Sequence, residues 1–270
     1  MNRVVGVRFR RADKVCYCDP REFDCRLNSY VIVQMEKGQE MGWVVKEPKD
    51  VVHKQPQEPL SPVIRKATSL DVQRRDELKA KEEEALRLAK GMVRELGLPF
   101  KMIEAHYTFD GRRAIFAFGS ETRVDFRPLI HQLSSALHCK VELKQVGARD
   151  EAKLIGGIGR CGMTLCCATW LTQFSTVTVR MAKEQALPIS AEGLAGQCGR
   201  LRCCLKYEYE QYLTINKAMP KIGERVGTAF GEARVIVGHR VRETVSVLYD
   251  DEAVRELPLE EITRYALPSN

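Results

Sequence analysis

The chain has 270 residues, of which 44% are hydrophobic and 29% charged, and carries a formal net charge of +7. That length allows one large core or two to three small ones, and no run approaches the roughly 18 apolar residues that would span a bilayer. The opening MNRVVGVRFRRADK lacks the apolar core and small-residue cleavage site of a signal peptide, so a cytoplasmic setting is expected.

In chain order, residues 3–52 read as β-rich. Val5, Val7 and Phe9 alternate with other residues, Val31–Met35 is a second short run and Gly42–Lys46 a third. Three prolines in HKQPQEPLSP mark a turn or linker at 53–62. A long helix is predicted over about 70–96: Leu78, Ala85, Ala89, Met92 and Leu96 share a face, Glu77/Lys81 and Glu83/Arg87 are i,i+4 pairs, and Gly97 supplies the stop. A hairpin follows. Ile103, Ala105, Tyr107 and Phe109 alternate with polar residues, Asp110-Gly111 turns, and Ala114, Phe116 and Phe118 return. Asp125 is placed to cap a helix with Leu129, Ile130, Leu133 and Leu137 on one face, and Val141 and Leu143 begin another strand.

Residues 221–265 carry turn glycines between short β-branched runs, the pattern of a small barrel or SH3-like module. The fold class expected is α+β: a mostly antiparallel sheet with packed helices, a cysteine-rich insert and a small C-terminal β-barrel-like module. The divisions are 1–60, a β-rich segment; 61–150, an α+β core; 151–219, a cysteine-rich region; and 220–270, a small SH3-like β module.

The basic excess is spread over the first 219 residues, whereas the tail has 7 Lys/Arg against 9 Asp/Glu. A nucleic-acid binder needs its basic groups on one surface to displace phosphate counterions; no basic run marks one here, so direct RNA binding stays open and a solvated surface is favoured. The aromatic run Tyr207, Tyr209 and Tyr212 suits packing or a partner surface better than base stacking. The histidines, His53, His106, His131, His138 and His239, are scattered and form no metal pair. No serine or cysteine has a sequence-local His/Asp arrangement of a hydrolase, so no catalytic constellation is visible.

Ten cysteines in a reducing compartment do not make a disulfide framework. Six lie in a gapless duplication, CGMTLCC at 161–167 and CGRLRCC at 198–204, with Cys161, Cys166 and Cys167 each 37 residues before Cys198, Cys203 and Cys204. Gly162 and Gly199 repeat too. Thiolates are soft, strongly donating ligands for iron–sulfur clusters, zinc and cuprous copper. Glycines beside them relieve crowding and free N–H groups to hydrogen-bond sulfur. Adjacent cysteines project in different directions, so the six thiols permit one four-ligand centre with two spare, or two incomplete centres completed by a partner. An iron–sulfur cluster is favoured over zinc, which lacks a Cys-x-x-Cys pair or a nearby histidine pair here, and over structural or redox thiols. Arg160, Arg200 and Arg202 flank the motifs and would depress thiol pKa values if they approached them. Gly157, Gly159 and Gly162 spell GxGxxG, but the position where a dinucleotide site needs an acid holds Ala182 and Lys183. Cys16, Cys18 and Cys25 form a looser cluster whose spacing matches nothing specific and suits burial better than metal binding.

The segment VGARDEAKLIGGIGRCGMTLCC, then MAKEQALPIS and LAGQCGRLRCCLKYEYEQY, resembles the bacterial RicT family, also called YaaT or PSP-one C-terminal-domain proteins. The opening VVGVRFR and the block YTFD…RVDFRPLI extend the resemblance over roughly residues 3–265. Cys16, Cys18 and Cys25 stand outside the family's motifs. The resemblance implies a non-enzymatic regulator that assembles with two small helical partners, RicA and RicF, into a complex carrying iron–sulfur clusters, with a 4Fe-4S centre expected. It further implies action with the endoribonuclease RNase Y in mRNA processing, and an influence on sporulation, competence and biofilm formation.

Overall fold

The computed structural model describes residues 2–10, 13–51, 60–120, 122 and 124–264. Most of the proline-rich stretch at 53–62 lies outside these, as do His53 and residues 265–270. The chain divides into two compact units: 1–174 with 197–200, and 175–196 with 201–270. Both units combine runs of strands with runs of helices, so the α+β expectation holds.

The first unit opens with β1 (Asn2–Arg8), β2 (Cys16–Asp19), β3 (Tyr30–Met35), β4 (Gly38–Val51) and β5 (Ser61–Lys66), which close into a barrel in the order β1-β2-β5-β3-β4. Closure rests on β5, which runs antiparallel to β3 and parallel to β2 through Cys18↔Ser61 and Asp19↔Pro62. Val5, Val7, Val31, Val33, Val44 and Val63 fill the interior with Cys18 and Cys25. β-branched side chains suit that pleated, enclosed surface.

A helix–sheet layer follows. The helix α1 (Ser69–Glu95) begins in a capping box, where the Asp71 amide donates to the Thr68 hydroxyl and the Asp71 carboxylate accepts the Thr68 N–H. Gly97, at φ +60°, ends it. The hairpin of β6 (Lys101–Tyr107) and β7 (Arg113–Gly119) forms as its alternation predicts. Ahead of α2 (Arg127–Leu137), Asp125 accepts the Arg127 N–H although Phe126 holds the cap position. The strand β8 (Lys140–Gln145) then pairs parallel with β7, giving the order β6-β7-β8. Ala85, Ala89 and Val93 of α1 and Leu129 and Leu133 of α2 pack on Met102, Ala105, Phe116, Phe118 and Val141 of the sheet. The barrel meets this layer through Ile32, Met41 and Phe109. The unit ends with α3 (Ala148–Ile155) and the short α4 (Cys166–Thr169).

The second unit begins with α5 (Val179–Glu184), α6 (Ala191–Leu194) and α7 (Cys204–Ala218), joined through Ala182, Leu194 and Leu205. Its five-stranded antiparallel sheet comprises β9 (Arg225–Thr228), β10 (Gly231–His239), β11 (Thr244–Leu248), β12 (Val254–Pro258) and β13 (Thr263–Arg264), in the order β12-β11-β10-β9-β13. Met219, Val226, Val235, Val245, Val247 and Leu257 form its core. No helix among the described residues is long and apolar enough to cross a membrane.

Candidate functional site

The sequence repeat is also a repeat of backbone hydrogen bonds. In the first copy Ile158 and Thr164 form an antiparallel bridge and the Leu165 N–H donates to Gly157 O at 3.1 Å. In the second, Ala195 and Leu201 form the same bridge and the Arg202 N–H donates to Leu194 O at 3.0 Å. All four partners are displaced by the same 37 residues as the cysteines. Each bridge closes a loop with one cysteine near its tip, Cys161 or Cys198, followed by a glycine with positive φ, +78° at Gly162 and +70° at Gly199. A β-carbon at either glycine would meet no atom within 4 Å, so backbone conformation and not space demands glycine there. Each loop then runs into a helix at its vicinal pair, α4 starting at Cys166 and α7 at Cys204 with Cys203 as its cap.

The six thiols differ in setting. Cys161 is exposed, Cys167 is buried, and Cys166, Cys198, Cys203 and Cys204 are half-buried. Cys198 belongs to the first unit, where it packs with Cys167, Leu165, Ala152 and Ala168. The Gln197 side-chain amide donates to Ile158 O at 3.1 Å, tying the tip of the second loop to the base of the first. Cys203 and Cys204 belong to the second unit. Arg160 and Arg200 are exposed, and Arg202 Nε is buried without a hydrogen-bond partner. Ile155, Ile158, Met163 and Trp170 leave apolar surface exposed around the first loop.

These residues suit an iron–sulfur cluster in kind. The donors are thiols, the loops repeat, and an unsatisfied guanidinium N–H adjoins Cys203 in the chain. Among the described residues, no group of three or more His, Cys, Asp or Glu side chains is disposed to hold a metal ion. The GxGxxG glycines occupy the first of these loops and its approach from α3.

A relative from Bacillus subtilis (strain 168) named Stage 0 sporulation protein YaaT is 41% identical over 263 residues, covering 97% of this chain and 96% of that protein. The chain belongs to the YaaT family. Within it, residues 61–146 match the PSP1 C-terminal conserved region and residues 176–219 match the third domain of PSP1-like proteins. The first match spans β5 to β8, and the second runs from α5 through the second cysteine loop to the end of α7. An uncharacterized protein of Schizosaccharomyces pombe is 25% identical over 157 residues, covering 48% of this chain and 21% of that protein. No solved structure matches the chain.

One polar constellation escapes a reading by sequence. His106 Nδ1 lies 2.9 Å from Glu82 Oε1 and its Nε2 lies 3.1 Å from Glu40 Oε1, so a β6 side chain sits between carboxylates from α1 and β4. Burial opposes protonation, but the bonds to Glu40 and Glu82 and the Glu40 charge outweigh it and raise the pKa to about 9. The group borders a cavity of about 750 Å³ with Phe9, Met41, Leu78 and Phe109 among its walls. Its partners are 24 and 66 residues distant in the chain, so no local spacing announces them.

Proposed function

We propose that this chain is a non-enzymatic regulatory subunit, an iron–sulfur-bearing adaptor that works with RicA-like and RicF-like helical proteins on RNase Y-dependent mRNA processing. The repeated loop carries the reading: two segments 37 residues apart adopt one hydrogen-bonded form and present the same three thiols. A cluster is held by cysteine thiolates, and the glycine beside the first thiol of each loop leaves backbone N–H groups open to stabilise the sulfur charge. Cys161, Cys166, Cys167, Cys198, Cys203 and Cys204 are the candidate ligands, with a 4Fe-4S cluster the expected cofactor. When bound, the cluster would supply a redox- and oxygen-sensitive centre; the chain's own part is to ligate it and to present surface to partners. The exposed Ile155, Ile158, Met163 and Trp170 support a partner-binding role beside the first loop. The name of the Bacillus subtilis relative supports a part in sporulation.

The test is anaerobic purification of the full chain, alone and with its helical partners, followed by iron and acid-labile sulfide analysis. Stoichiometric iron and sulfide, reduced in Cys→Ser variants at the ligand positions, is the expected result. Colourless protein holding a single zinc under both conditions would overturn the cluster assignment.

A further inference from the structure

The Cys16 and Cys18 thiols stand apart from the duplicated loops. They are two residues apart on β2, so both project to one face of the strand, and both pack into the barrel interior. The Cys18 S–H donates to Cys16 Sγ at 3.9 Å. Cys18 is fully buried, whereas Cys16 is half-buried and retains access to solvent. This hydrogen bond acts oppositely on the two groups. It lowers the Cys16 pKa to about 7 against the effect of burial, and with burial it pushes the Cys18 thiol up. One sulfur is thus a reachable nucleophile, and its neighbour holds a proton beside it.

We propose that Cys16 and Cys18 form a reversible dithiol–disulfide pair, a peroxide-sensitive modification site in the barrel wall and independent of the duplicated cysteine loops. The Cys16 thiolate attacks the O–O bond of hydrogen peroxide, forming a sulfenic acid and releasing hydroxide. The Cys18 sulfur then attacks the sulfenic sulfur. An S–S bond forms, the S–O bond breaks, and the departing hydroxide leaves as water with the Cys18 proton. Peroxide is reduced by two electrons and the two thiols are oxidised by two. Residues two apart in a strand have Cα atoms about 6.5 Å apart, inside the about 6.8 Å upper bound for a disulfide. Their Cβ atoms project side by side at about the same spacing, wider than the about 3.5–4.5 Å a disulfide spans, so β2 must pucker to bring the sulfurs from 3.9 Å to bonding distance. That strand pairs with β1 at Val5↔Cys18 and Val7↔Cys16 and carries the parallel pair Cys18↔Ser61. Oxidation would therefore bear on the line along which the barrel closes.

Trypsin isolates the site. The peptide Val15–Arg21, VCYCDPR, contains both sulfurs and no other cysteine, and Glu22–Arg26 contains Cys25 alone. The reduced full chain is treated with hydrogen peroxide, its remaining thiols are alkylated with iodoacetamide under denaturing conditions, and the digest is read by mass spectrometry. Val15–Arg21 is expected two hydrogens lighter than its reduced form and unalkylated, returning to a doubly alkylated form after dithiothreitol. The Cys25 peptide, from the same barrel core, should stay alkylated throughout. Recovery of Val15–Arg21 doubly alkylated after peroxide, or joined to another peptide, overturns the proposal. In Cys16→Ser the Cys18 thiol should remain alkylatable, and its oxidation there would remove Cys16 as the attacking group.

Discussion

His106 Nε2 lies 3.1 Å from Glu40 Oε1, joining a strand of the β6-β7-β8 sheet to a strand of the barrel across 66 residues of chain. Glu82 takes the other ring nitrogen and also accepts the Tyr107 N–H at 2.8 Å. Arg10, which opposes protonation, is itself paired with Glu104. The folded pKa, about 9, exceeds the ordinary 6.5, so folding favours the charged ring. The resulting stability is fully present below about pH 6.5 and is lost as pH rises through about 9. Urea unfolding of wild type should lose about 3 kcal/mol across that window relative to His106→Asn, whose profile should be flatter. Parallel profiles would show that the ring carries no linked proton.

The start of α1 depends on Asp71. Arg65 is the main cause holding its carboxyl far below the ordinary 3.8, with burial opposing and the Thr68 N–H and hydroxyl assisting. A depressed carboxylate stabilises the fold above its unfolded pKa, and that contribution is lost as pH falls below about 4. Asp71→Asn should cost about 2 kcal/mol at neutral pH and Thr68→Ala about 1 kcal/mol. Chemical unfolding of both variants at pH 7 and pH 3 checks this: the penalty of Asp71→Asn should shrink in acid, whereas an unchanged penalty would argue for lost packing.

Gly162 and Gly199 offer a test of the repeat itself. Each holds positive φ with open space beside its α-carbon, so Ala at either site should cost about 1 kcal/mol from backbone strain alone, and Asn less. Hydrogen exchange of the Leu165 and Arg202 amides, which close the two loops, would report the effect where it acts. Equal protection in wild type and Ala variants would mean the loops do not depend on the glycines.

Leu129 and Leu133 of α2 are both fully buried against the sheet. Leu129→Ala should cost about 2–5 kcal/mol, depending on how far the cavity collapses. A loss under 1 kcal/mol by urea unfolding would contradict the packing of α2 on the sheet.

Features legible in the chain are those whose cause is local. The span of α1 follows from its apolar face and Gly97, and the β6–β7 hairpin from alternation around Asp110-Gly111. The side-chain pairing on α1 is less faithful: Glu77/Lys81 and Glu83/Arg87 have the right spacing, but an ion pair forms at Asp76–Lys79. Such exposed pairs contribute too little energy to choose among neighbours. The Thr68-x-x-Asp71 box was available as a local signal and marks the helix start better than apolar periodicity does. His106 is different, because its partners come from two other elements and only packing brings them together.

By itself the sequence determined the α+β class, the helix and hairpin of the central layer and the duplicated cysteine loops, because caps, turns and periodicity act over a few residues and segments with the same cysteine and glycine spacing meet the same local constraints. Tertiary structure decided that Ser61–Lys66 returns to close the barrel, that β8 runs parallel to β7, that Cys198 packs with Cys167, and that Cys16 and Cys18 share the barrel interior. These depend on pairing and burial between distant segments, where the gain from excluding water is not encoded in the spacing of either partner.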